Sequence, residues 1–146
     1  MPSDLAATLD LTITAATDQW RLVAQRVPRP RQPPYLPIEV LICHGLFHVL
    51  DPHTFGGGNM YRLPAVATTL ARTLLRSPRS LTSKMLNLDG SRQNCARHES
   101  ELFARLVADR VWFLTLFARV IEGARLAGFD AAAVPDFLDV ADRRQG

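Results

Sequence analysis

The sequence predicts an all-α fold, a helical bundle containing a helix-turn-helix-like unit. Two patterns predict it. Apolar residues recur at helical spacing in most segments, and proline or glycine punctuates the chain between them. The length of 146 residues, with 47% hydrophobic and 21% charged residues, suits one domain around one core.

The elements follow in order. Ser3 can cap a helix, but Leu9, Leu11 and Ile13 alternate like a short strand, so residues 3–13 read both ways. A first clear helix is expected near residues 15–27, with Trp20, Val23, Ala24 and Val27 on one face. Pro28, Pro30, Pro33, Pro34 and Pro37 then make an extended connector, because proline fixes φ and lacks an amide donor. Arg29 and Arg31 lie in it, as a strap for phosphate or as charges on a solvated linker. Residues 38–50 read as a mostly buried helix that Asp51-Pro52 ends, and Gly56-Gly57-Gly58-Asn59 as a loop. Pro64 opens the next helix, with Val66, Leu70 and Leu74 along it. Ser77-Pro78 places a serine cap and a first-turn proline at the start of another, whose Leu81, Met85 and Leu88 face inward and which stops at Asp89-Gly90. After a polar loop over 91–97, helix is expected from Glu99 to Ala108 and from Asp109 to Ala127. The latter is apolar on nearly every side and reads as the central helix. A final segment, Pro135 to Val140, packs Phe137 and Leu138. The organisation is one domain over 1–146: an N-terminal arm and proline-rich connector (1–37), a helical core (38–128) with the helix-turn-helix at 64–89, and a C-terminal segment (129–146).

Charge is unevenly placed. Residues 1–62 hold five basic and five acidic residues, giving zero, and residues 98–146 hold six against eight, giving −2. Residues 72–97 hold Arg72, Arg76, Arg79, Lys84, Arg92 and Arg97 against Asp89, giving +5. A cluster of this kind attracts a polyanion, and arginine's two-pronged donor suits phosphate and guanine. Helices at 64–75 and 77–88 joined by a tight turn have the spacing of a helix-turn-helix, whose second helix enters the major groove. With Leu81, Met85 and Leu88 inward, the opposite side carries Arg79, Ser80, Ser83, Leu86 and Asn87. Arginine can fork onto guanine and asparagine onto adenine, while Lys84 on the flank suits phosphate. The expected DNA-binding residues are Arg76, Ser77, Arg79, Ser80, Ser83, Lys84, Asn87, Arg92 and Arg97.

The stretch Leu63 to Leu106 resembles a known family. Arg76, Ser77, Pro78, Ser80, Lys84, Asn87, Leu88 and Asp89 match the N-terminal region found upstream of HNH endonuclease domains in bacterial restriction-type proteins. Glu39-Val40-Leu41 resembles the first helix of that region, and the Ser-Pro-Arg helix with Lys84-Met85 is more weakly similar to the DNA-reading domain of McrA-like, modification-dependent nucleases. The resemblance implies a reader of double-stranded DNA bearing a methylated base or a phosphorothioate backbone. Its implied partner is an HNH nuclease domain or subunit.

The chain departs from that family in having no HNH motif among His44, His48, His53 and His98, so a non-catalytic domain is expected. His44 and His48 at i, i+4, with Cys43, Cys95 and His98, are metal-ligand types but lack H-E-x-x-H or C-x-x-C spacing. No metal or cofactor is expected. The triple glycine lacks the G-K-S/T of a phosphate loop. Two cysteines without a disulfide framework, no signal-peptide core and no long apolar run predict a cytoplasmic protein away from membranes. The competing reading is a protein-interaction or transcription-regulator helix-turn-helix module.

Overall fold

The computed structural model describes residues 2–49, 65–88 and 97–139, with side chains for 6–49, 65–85 and 101–139. All regular structure among them is helical: α1 (Pro2–Leu9), α2 (Ile13–Ala24), α3 (Pro37–Val49), α4 (Ala65–Leu74), α5 (Pro78–Leu88), α6 (Arg97–Ala108) and α7 (Arg110–Leu126). Asp51-Pro52, the glycine loop, Pro64, Asp89-Gly90 and the polar loop at 91–96 lie outside the described residues.

Residues 3–13 resolve in favour of helix. The chain breaks after Leu9, and Thr12 restarts it as an N-cap whose hydroxyl accepts from the Ala15 N–H at 3.0 Å. Leu11 is buried in that break, so the strand-like alternation arises from a helix end, a cap and a helix start. The expected helix at 15–27 ends earlier, at Ala24, with Gln25 as its C-cap. Val27 is 60% exposed and is not part of the apolar face.

The most extensive packing is α2 against α7. Trp20 Nε1 donates to the Val120 carbonyl at 2.9 Å, and Gly123 backs onto Ala16 and Thr17, so the two helices run antiparallel. A Cβ on Gly123 falls 2.7 Å from Ala16 Cβ and 2.8 Å from the Thr17 backbone nitrogen. Glycine lets the backbones approach to that distance. Trp112 Nε1 donates to the Leu9 carbonyl and Arg119 to the Leu11 carbonyl, tying the α1–α2 break to α7.

The core joins Trp20, Leu41, Ile42, Leu46, Leu70, Leu81, Met85 and Phe117, all fully buried. Leu81 and Met85 thus anchor α5 as their spacing predicts, while the Leu88 side chain lies outside the described ones. α7 is the longest of these helices, but it is not buried on every side, since Val111 is 76% exposed. Asp109 alone separates α6 from α7, and its carboxylate accepts from the Trp112 N–H. At the other end Gly128, at φ +100°, closes α7 with hydrogen bonds from its own N–H to Arg125 and from Phe129 N–H to Ala124. The chain then returns through turns that set Phe137 against Phe117 and beside Gly45. No helix among the described residues is long and apolar enough to cross a membrane.

Candidate nucleic-acid interface

The α4–α5 connection is three residues long: Leu75, Arg76 and Ser77. Leu75 N–H bonds to the Arg72 carbonyl and Arg76 N–H to the Ala71 carbonyl, the paired closure of a helix that ends on a left-handed residue. Leu75 takes that role at φ 54°, a conformation that favours glycine. Ser77 then caps α5, its hydroxyl accepting from the Ser80 N–H at 3.0 Å, with Pro78 at the first helical position.

The left-handed turn carries Arg76 away from solvent. Its side chain is only 6% exposed and pairs with Glu39, which is 0% exposed. Arg26, 5% exposed, approaches the same carboxylate from the other side, at 2.7 Å to Oε1 and 3.0 Å to Oε2. Glu39 is the third residue of α3, and its Oε1 also accepts from the Leu36 N–H at 2.9 Å, one half of a capping box. Burial pushes the Glu39 carboxyl up, but hydrogen bonds from Arg26, Arg76 and the Leu36 N–H outweigh it and hold the group below the ordinary carboxylate range. Arg26 further donates to the last carbonyl of α4, Leu74, at 2.9 Å, and Arg76 to the Pro33 carbonyl at 2.6 Å. One carboxylate thereby joins α3, the end of α4, the α4–α5 turn and the proline-rich connector.

The expectation that Arg76 contacts DNA is therefore corrected: its guanidinium is used internally, over the Tyr35 ring at 3.9 Å and against Glu39. Ser77 and Ser80 are also engaged. The Ser77 hydroxyl is the α5 cap, and Ser80 Oγ lies 2.7 Å from the Tyr35 hydroxyl. Burial raises the Tyr35 pKa, with the Cys43 charge adding to the rise, so the phenol stays protonated. Lys84 is half-buried with its ammonium 5.1 Å from the Tyr35 ring, and Ser83 is half-buried. Arg79 is exposed at the first turn of α5. The side chains of Asn87 and Arg97, and the whole of Arg92, lie outside the described residues.

Residues 25–49 and 65–88 hold seven basic residues (Arg26, Arg29, Arg31, Arg72, Arg76, Arg79, Lys84) against one acid, Glu39, already bound by two arginines. The other described acids lie on α1, the α1–α2 break, α2, α6, the α6–α7 junction, α7 and the C-terminal turns, and α6, with Glu99 and Glu101, packs against α5. The connector and α5 are both basic in sequence and are joined by the Arg76–Pro33 and Tyr35–Ser80 hydrogen bonds.

A second cluster lies on α3. His44, 1% exposed, and His48 face each other with Nε2 atoms 2.9 Å apart, among Phe47, Phe103 and Phe113. His44 Nδ1 has no hydrogen-bond partner among the described residues. Burial, and then the neighbouring His48 charge, push the His44 imidazole down to about 3. Burial, with Arg110 second, also lowers His48. His44 is a neutral ring buried among aromatic side chains, and His48 is exposed at its edge. Among the described residues no three His, Cys, Asp or Glu side chains gather as a metal site requires.

No protein-family model, curated protein or solved structure matches the chain.

Proposed function

We propose that the chain is a helical reader of double-stranded DNA in a restriction system. It presents α5 to the major groove, carries no nuclease motif of its own, and delivers an HNH nuclease domain or subunit to DNA bearing a methylated base or a phosphorothioate backbone. The observation that carries the DNA reading is the segregation of charge. The connector, α3, α4 and α5 are rich in basic residues, and the one acid among their described residues, Glu39, is already bound by two arginines. The excess positive charge of these elements attracts a polyanion.

The reading assigns base contacts to Arg79, Ser83 and Asn87 and phosphate contacts to Lys84, Arg92 and Arg97. Arg76, Ser77 and Ser80 hold the shape of the helix that carries them. The choice of modified DNA rests on the resemblance of the Arg76–Asp89 segment to reader domains.

Fluorescence anisotropy with labelled plain, methylated and phosphorothioate duplexes tests this. With about four cations engaged, log affinity falls with log salt at a slope of about −3.6, a loss of ~100-fold between 50 and 200 mM. Arg79→Ala and Asn87→Ala should flatten discrimination between duplexes, whereas Arg92→Ala weakens all of them alike. Absence of binding at ~100 μM protein in low salt rejects the proposal, since even non-specific binders reach that range.

A further inference from the structure

We infer that the loop Val27–Gln32 is a minor-groove arm that inserts Arg29 and Arg31 beside the major-groove site of α5; the inference rests on the DNA reading above and adds a second element of recognition to it. Val27 to Arg31 are all exposed, and neither arginine has a hydrogen bond or ion pair among the described residues. They differ in this from Arg26 and Arg76, whose guanidinium groups are consumed by Glu39.

The loop is built to hold its shape. Gln32 Nε2 donates to the Val27 carbonyl at 2.9 Å and clasps its base. Pro28 and Pro30 fix φ on either side of Arg29, and Pro33 and Pro34 follow the clasp. Immediately beyond, the Pro33 carbonyl is held by Arg76 and Tyr35 is held by Ser80 on α5. The arginines therefore stand on an exposed loop whose following residues are fastened to the α4–α5 turn and the first turn of α5, and little ordering entropy is lost on binding.

The shape and chemistry select the groove. B-DNA's minor groove is ~6 Å wide, too narrow for a helix but open to arginine side chains carried on a loop. Narrow A·T-rich segments concentrate negative potential there and draw in arginine, whose guanidinium is more weakly hydrated than an ammonium.

Anisotropy with the full chain on three duplexes of equal length provides the test: one with an A·T tract, one with G·C pairs, and one with inosine·cytosine pairs. Inosine·cytosine presents the minor groove of A·T and the major groove of G·C. The A·T and inosine·cytosine duplexes should bind about 5–10-fold tighter than G·C. The double variant Arg29→Ala/Arg31→Ala should bind all three within about twofold while still binding DNA, and Arg29→Lys/Arg31→Lys should do the same at higher affinity. Both side chains are exposed, and circular dichroism confirms that the variants fold. Wild type binding all three duplexes equally overturns the arm, as does retention of the preference in the double alanine variant. Inosine·cytosine behaving like G·C overturns it too, because the preference is then read in the major groove. Each of these leaves DNA binding intact, whereas no binding to any duplex removes the underlying reading as well.

Discussion

Glu39→Gln is the perturbation that probes the architecture most directly. Glutamine keeps the volume, so no cavity confuses the result. It removes the negative charge from a point where two guanidinium groups, 5% and 6% exposed, converge on a carboxylate that is itself 0% exposed. Removing one partner of a buried ion pair costs about 3–5 kcal/mol, because the remaining charge is left desolvated. Here two such charges remain. With an unfolding entropy of ~2.1 cal/mol/K per residue, each kcal/mol lowers Tm by about 3 °C at this chain length, so Tm should fall by roughly 10–16 °C. Calorimetry or a urea series measures it. Arg26→Met should also be costly, since it removes one of the two cations on Glu39 and the donor to the Leu74 carbonyl. The double variant Arg26→Met/Glu39→Gln should cost less than the sum of the two, as expected for groups sharing one network. The triple replacement Arg26→Met/Glu39→Leu/Arg76→Met should recover most of the loss, since an apolar cluster of similar volume needs no charge compensation. A loss below ~1 kcal/mol for Glu39→Gln refutes the reasoning, because that is the behaviour of a solvent-screened surface pair.

Two further outcomes are expected. Gly123→Ala should destabilise by about 1–3 kcal/mol or more, because its methyl meets the Ala16–Thr17 backbone at under 3 Å; an unchanged urea midpoint rejects that packing. Acid should weaken the fold through the histidine pair. The unfolded chain takes up a proton near pH 6.5, while folded His44 does so only at about 3, so stability is complete above pH 6.5 and declines as pH falls. Between pH 7.5 and 5.5 His44 contributes a loss of about 1.4 kcal/mol, with His48 acting in the same direction. The loss from Glu39 begins only as the pH falls through the ordinary carboxylate value of 4.5, so it stays out of that comparison. Urea midpoints at the two pH values, with His44→Gln as reference, decide it; equal slopes in the two proteins argue against a buried neutral imidazole.

The helices were legible where chemistry repeats over a short span. Ser77-Pro78 and Gly128 each announce a helix end through groups within five residues of themselves. The Leu81–Met85 stripe likewise declares its buried side. The interface was read less well because its decisive contacts are long-range. Arg76 in sequence is one more member of a basic cluster, and nothing adjacent says that Glu39, 37 positions earlier, claims it. One signal was present. Glu39 stands among Ile38, Val40, Leu41 and Ile42, and an acid inside an apolar helix needs a buried cation as partner. Which arginines supply it is a tertiary fact. The left-handed Leu75 was hidden for a related reason, since leucine gives no hint of a turn that glycine normally makes.

The pairing of α2 with α7 has a consequence for how the chain matures on the ribosome. About 100 residues must be polymerised after Ala24 before Arg110 to Leu126 has been made. At ~5–20 residues per second, Trp20, Ala16 and Val23 wait on the order of 5–20 s without their permanent cover. Nascent chains stalled before Arg110 should therefore be captured by holdase chaperones and cut by proteases, and that vulnerability should vanish once α7 clears the exit tunnel.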